Sequence, residues 1–124
     1  MALKGRVVLL VEDDPEIAEV MTMNLAALGC KIFLAVDAIQ GVMFAQQKSP
    51  DVILLDCMMP AGGGPSVYER IRENANTSCI PVLFLTAVPE DELREKVKMG
   101  PLTSYFQKPI NRQQLEETLL KILG

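Results

Sequence analysis

The sequence predicts an α/β domain in which five parallel strands alternate with five helices. Three observations carry this expectation. Five short apolar runs recur through the 124 residues, each followed by a more polar or amphipathic stretch. The runs are largely continuous rather than alternating, as expected of strands buried on both faces of a helix-covered parallel sheet. Nothing between them reads as a linker, so residues 1–124 are expected to form one domain.

The first run is Val7-Val8-Leu9-Leu10-Val11, broken by Glu12-Asp13-Asp14. Asp14-Pro15 reads as an N-cap followed by proline at the first helical position. Ile17, Met21, Leu25 and Leu28 form a stripe at spacings of four, four and three, and Gly29 ends that helix. The second run is Ile32 to Val36, after which Asp37 and Gln40 resemble a capping box for a helix reaching Gln47. The third run, Val52 to Asp56, leads into a Gly- and Pro-rich loop from Met59 to Pro65, then a helix carrying Val67 and Ile71. The fourth is Val82 to Thr86, and the polar helix after it starts near Glu90 and ends at Gly100-Pro101. Tyr105-Phe106-Gln107 is the short fifth run, closed by Lys108-Pro109. Asn111 and Gln114 cap a last helix whose Leu115, Leu119 and Ile122 share one face.

Composition narrows the function. The chain is 49% apolar, enough for a core without disulfides or a structural metal. Its net charge is −4 and no segment concentrates Lys or Arg, which argues against direct nucleic-acid binding. Cys30, Cys57 and Cys79 fit neither a disulfide framework nor a zinc pattern and read as reduced thiols. The absence of His removes imidazole catalysis and imidazole metal ligands. No apolar run approaches the roughly 18 residues of a membrane span. With Met1–Arg6 too short for the charged region of a secretory signal, the expectation is a soluble cytoplasmic protein without membrane partners.

In a doubly wound sheet, ligands bind at the carboxyl ends of the strands. Glu12 and Asp13 follow the first strand, Asp56 ends the third, Thr86 the fourth, and Lys108 follows the fifth. Taken singly, such residues usually cap helices or face solvent, as Asp14 is expected to do. Together they gather carboxylates, a hydroxyl and an ammonium at one edge. Carboxylates so gathered repel one another unless a cation neutralises them. Mg²⁺ suits this need, because it takes one or two carboxylates with waters and a phosphate oxygen, whereas Ca²⁺ wants more protein oxygens.

The segments Leu10-Val11-Glu12-Asp13-Asp14, Leu55-Asp56-Cys57-Met58-Met59-Pro60 with Gly64, Leu85-Thr86-Ala87 and Tyr105-Phe106-Gln107-Lys108-Pro109 resemble those of response-regulator receiver domains in type, order and spacing. The likeness covers essentially the whole chain. It implies a flavodoxin-like sheet of order 2-1-3-4-5 and a phosphoryl-accepting switch in two-component signalling. Asp56 is then the phosphoacceptor. Asp13, Asp56 and the backbone carbonyl of Met58 hold Mg²⁺, with Glu12 reaching it directly or through water. Thr86 and Lys108 contact phosphoryl oxygens, and Tyr105 is the aromatic whose rotamer follows the switch. The Lys108–Pro109 bond is expected to be cis. The implied donor is a sensor histidine kinase or histidine phosphotransfer protein, and the implied output is a change at the α4-β5-α5 surface toward an unknown domain or target. The resemblance leaves room for a phosphorylation-dependent dimer. It implies self-dephosphorylation but no metabolic turnover, and apolar Met58 and Val88 beside the water path imply that this is slow.

Two rivals stand beside this reading. A pseudo-receiver would keep the fold without phosphorylation, but the full set of Glu12, Asp13, Asp56, Thr86 and Lys108 argues against it. An aspartate-nucleophile phosphatase resembles others of its kind in a second acid two residues after the nucleophile, where this chain has Met58. The sequence also departs from the receiver pattern: Thr86 to Gly100 is one residue short, and Gly100 to Tyr105 is one residue long. A reshaped fourth helix and following loop are therefore expected.

Overall fold

The computed structural model describes residues 3–57, 63–87, 89–96, 100–107 and 111–123. Strands β1 (Val7–Val11), β2 (Lys31–Ala35), β3 (Val52–Asp56), β4 (Val82–Thr86) and β5 (Thr103–Gln107) form one parallel sheet of order β2-β1-β3-β4-β5. Between and after them run α1 (Pro15–Ala27), α2 (Ala38–Lys48), α3 (Gly63–Glu73), α4 (Glu90–Lys96) and α5 (Arg112–Leu123). The predicted flavodoxin-like architecture and strand order are those observed. No helix among the described residues is long and apolar enough to cross a membrane.

Side-chain alternation along each strand divides the core into two layers. Leu9, Val11, Ile53, Leu55, Val82 and Phe84 face α2, α3 and α4, where they meet Ala45, Val67, Tyr68, Ile71 and Leu93. Val8, Leu10, Val52, Leu54, Leu83 and Leu85 face α1 and α5, where they meet Met21, Leu25, Leu115 and Leu119. Each central strand thus supplies both layers, which is why its sequence is apolar throughout.

The three predicted caps form. Asp14 Oδ1 accepts from the N–H groups of Glu16 and Ile17 at 2.9 and 3.3 Å. Asp37 Oδ1 accepts from Gln40 N–H, and Asn111 Oδ1 from Gln114 N–H, both at 2.8 Å. Helix α1 ends at Ala27, and Gly29 takes φ +88° just beyond it, the left-handed exit expected of glycine.

Three boundaries differ from the sequence reading: the limits of β2 and β5, and the start of α3. The last is helical from Gly63 although the sequence predicts loop as far as Pro65, because proline is tolerated in a helix's first turn. Strand β2 is shifted one residue toward the N-terminus, because Lys31 N–H joins the ladder through Arg6 O, while Val36 N–H turns to the Gln40 side chain. Strand β5 begins at Thr103 rather than Tyr105. Its polar start is tolerated because β5 is an edge strand, half-buried from Thr103 to Phe106. Helix α4 is described only to Lys96; the expected end at Gly100-Pro101 lies past residues 97–99, which are outside the described residues.

Candidate functional site

The sheet register brings the acidic residues together. Val11 pairs with Leu55, so Glu12 lies level with Asp56, the last residue of β3. Glu12 N–H donates to Ala35 O at 2.9 Å, extending the β1–β2 ladder one residue past the strand. This holds Glu12 inside the fold, 1% exposed, while Asp13 next to it is exposed. Glu12 Oε2 accepts from Asp14 N–H at 3.3 Å, linking the buried acid to the residue that caps α1.

Glu12, Asp13 and Asp56 each place a carboxylate oxygen within 4.8 Å of the other two. The donor set is all oxygen and anionic, which fits a hard divalent cation that keeps part of its water shell. An open cleft of about 650 Å³ lies over this cluster, lined by Glu12, Asp13, Asp56 and Ala87 and by the first turn of α1 from Asp14 to Ile17. It is wide enough to admit a substituent on Asp56.

Asp56 is 5% exposed, and the backbone on its far side is clamped. Cys57 N–H donates to Leu85 O at 3.2 Å, continuing the β3–β4 ladder. Gly64, in the first turn of α3, presses on the same segment. A Cβ there would stand 2.6 Å from the Asp56 carbonyl oxygen and 2.9 Å from Cys57 Cα. Such backbone-to-backbone contact leaves room only for glycine, so α3 and the end of β3 fix one another.

Leu85 pairs with Asp56, which puts Thr86 one residue further out, at the end of β4, fully buried. Tyr105 pairs with Phe84 and is half-buried. Burial pushes its phenol above the ordinary value, and the charges of Glu90 and Asp91 on α4 push the same way. Lys108, Pro109, Met58 and Val88 lie outside the described residues. Of the residues singled out in the sequence, Glu12, Asp13 and Asp56 form one cluster, while Thr86 and Tyr105 sit on the neighbouring β4–β5 edge.

Two residues that the sequence did not single out organise that edge. The Tyr68 hydroxyl lies 2.6 Å from Thr103 Oγ1, and the Arg72 guanidinium donates to the carbonyls of Ser78, Ile80 and Leu102. Their spacing on α3, one turn apart, was the only signal available.

A profile of the response regulator receiver domain matches residues 8–120. The protein PilH of Pseudomonas aeruginosa is 34% identical over 94% of this chain and 93% of its own length. The DNA-binding dual master transcriptional regulator RpaA of Synechocystis is 35% identical over 93% of this chain, which spans only 46% of that regulator. The receiver domain of sensor histidine kinase PA1611 from Pseudomonas aeruginosa superposes with a TM-score of 0.88 at 35% identity, covering 97% of this chain and 98% of that one. That structure has a magnesium ion coordinated in its active-site cleft. The chain belongs to the response regulator receiver domain family.

Proposed function

We propose that this receiver domain works as a phosphoryl-accepting switch, with Asp56 as the acceptor. The observation that carries the proposal is the convergence of Glu12, Asp13 and Asp56, their carboxylate oxygens within 4.8 Å of one another, beneath an open cleft. The chain contains no His, so the donor phosphohistidine must come from another protein or domain: a sensor histidine kinase or a histidine phosphotransfer protein.

An Asp56 carboxylate oxygen attacks phosphorus, the phosphorus–nitrogen bond of the donor breaks, and the imidazole leaves. Glu12, Asp13, Asp56 and the Met58 carbonyl would hold Mg²⁺, which when bound supplies positive charge against the phosphoryl oxygens. The Thr86 hydroxyl donates to one phosphoryl oxygen and Lys108 pairs with another, so charge is neutralised from several strand ends at once. Moving toward the phosphoryl group, Thr86 leaves space that Tyr105 fills, which carries the signal to the α4-β5-α5 surface and its output. Hydrolysis of the acyl phosphate resets the switch. With apolar Met58 and Val88 beside the water path, the domain's own reset is slow.

The test is labelling by a small phosphodonor. Wild-type protein takes up acid-labile, hydroxylamine-sensitive phosphate in a Mg²⁺-dependent reaction, and Asp56→Asn takes up none while keeping its circular-dichroism spectrum. Labelling of Asp56→Asn at the wild-type rate would sink the assignment.

A further inference from the structure

Two side chains of α3 contact the start of β5 and the segment before it. Tyr68 and Arg72 are one turn apart on α3, with the guanidinium carbon 5.0 Å from the Tyr68 ring centroid. Arg72 Nη1 donates to Ser78 O and Ile80 O at 3.1 and 2.7 Å, fixing the connection into β4. Arg72 Nη2 donates to Leu102 O at 3.2 Å, and the same carbonyl accepts from Val82 N–H at 2.9 Å. The Tyr68 hydroxyl meets Thr103 Oγ1 at 2.6 Å. Two side chains of α3 therefore hold the segment just before β5 and the first residue of β5 itself.

This grip is aligned with the residues of the switch. The Tyr68 ring packs on Phe84, centroids 5.3 Å apart and tilted by 51°. Phe84 and Thr86 share a face of β4, as Thr103 and Tyr105 share a face of β5. Phe84 is in register with Tyr105, and Val82 with Thr103. A displacement of Tyr105 therefore pulls on Thr103, two residues away on the same face and held by Tyr68. Burial raises the Tyr68 phenol's pKa, but the hydrogen bonds to Thr103 and Arg72 and the guanidinium charge outweigh it, leaving a net lowering.

We propose that Tyr68, Arg72 and Thr103 form a latch that ties the amino end of β5 to α3 and sets how readily the β4–β5 edge leaves its resting arrangement. The latch regulates the switch and so rests on the phosphoacceptor reading. Tyr68 is a positioning residue, acting on Thr86 and Tyr105 through Phe84 and Thr103. Releasing the hydrogen bond lowers the cost of the rearrangement, and by linkage a phosphoryl mimic must then bind more tightly.

Tyr68→Phe and Thr103→Val both remove the Tyr68–Thr103 hydrogen bond while keeping side-chain volume, and Tyr68→Phe also removes the hydroxyl's contacts with Arg72 and Gly100. Beryllofluoride with Mg²⁺ is the probe, and amide hydrogen exchange is the second readout. Thr103→Val should bind beryllofluoride about fivefold more tightly than wild type, on the scale of one lost hydrogen bond, and Tyr68→Phe at least as tightly as that. The double variant should bind no more tightly than Tyr68→Phe alone, because the Thr103 hydroxyl then has no Tyr68 hydroxyl left to lose. Exchange at the Thr103 and Val82 amides should rise while Leu9 and Leu10 in β1 stay protected. Equal affinities across the four proteins overturn the latch. So does exchange that rises at Thr103 only in step with Leu9 and Leu10, which marks a merely structural bond. If wild type fails to bind the mimic, the phosphoacceptor reading falls, and the exchange pattern alone decides whether Tyr68 holds β5.

Discussion

The β1–β3 pair and the β4–β5 edge are built differently, although both belong to one sheet. At the carboxyl ends of β1 and β3, neighbouring backbone fixes the acids. Glu12 extends a ladder to Ala35, Cys57 extends one to Leu85, and Gly64 closes on the Asp56 carbonyl. At the β4–β5 edge a ladder runs from Val82–Thr103 to Thr86–Gln107, but β5 has a neighbouring strand on one side only. It is half-buried and is also held at its start by side chains reaching from α3. A strand laddered on both sides admits few alternative positions, whereas an edge strand rests partly on side-chain contacts that can be exchanged for others. The proposed chemistry thus sits where the fold is rigid, and the proposed movement where the fold can yield.

The sharpest way to break this comparison is a methyl group at the rigid end. Gly64→Ala drives a Cβ to 2.6 Å from the Asp56 carbonyl, so α3 or the end of β3 must shift. Chemical denaturation should show a loss of about 3 kcal/mol, the upper end of the usual range for overpacking, because the facing backbone atoms cannot give way. A wild-type unfolding midpoint would mean that the pole is softer than its backbone contacts imply.

A smaller effect is expected from the metal. A cation that binds only the native state stabilises it by about 2.7 kcal/mol at a hundredfold excess over Kd. Adding Mg²⁺ to the wild type should therefore raise Tm, and Asp13→Ala should remove most of that rise while leaving the metal-free Tm little changed, because Asp13 is exposed. A wild-type Tm indifferent to millimolar Mg²⁺, with no site in a binding titration, would count against the acidic cluster as a metal centre.

The smallest effect belongs to the other region. A Cβ at Gly100 would meet nothing within 4 Å, and its φ lies outside the left-handed region. Gly100→Ala should change stability by no more than about 0.5 kcal/mol, as at most surface positions. The same substitution thus separates the two regions, and a loss at Gly100 as large as that at Gly64 would erase the distinction.

The sequence made one of these regions far more legible than the other. The caps by Asp14, Asp37 and Asn111 act over two or three residues, so local spacing reveals them. Glu12 and Asp13 are far from Asp56 in sequence, yet a parallel sheet must bring its strand ends to one edge. The contact between Tyr68 and Thr103 spans 35 positions and follows no periodicity, so no local pattern announces it. The start of β5 was missed for a related reason: Thr103 and Ser104 are polar, and only their place on an edge strand makes them strand residues. Lys108, Met58 and Val88 lie outside the described residues, and their roles are proposals drawn from the receiver resemblance.

The three consecutive acids after β1 show what this architecture asks of a substitution. Glu12 is sealed inside with its backbone in a ladder, Asp13 is open to the cleft, and Asp14 closes the first turn of α1. Their order, not their sum, carries the information. Exchanging Glu12 with Asp14 preserves composition, isoelectric point and net charge, yet gives the interior a shorter acid and the helix a poorer cap. Electroneutral edits at this position are therefore not conservative ones, and a charge count would rank as silent a change that alters two of the three jobs.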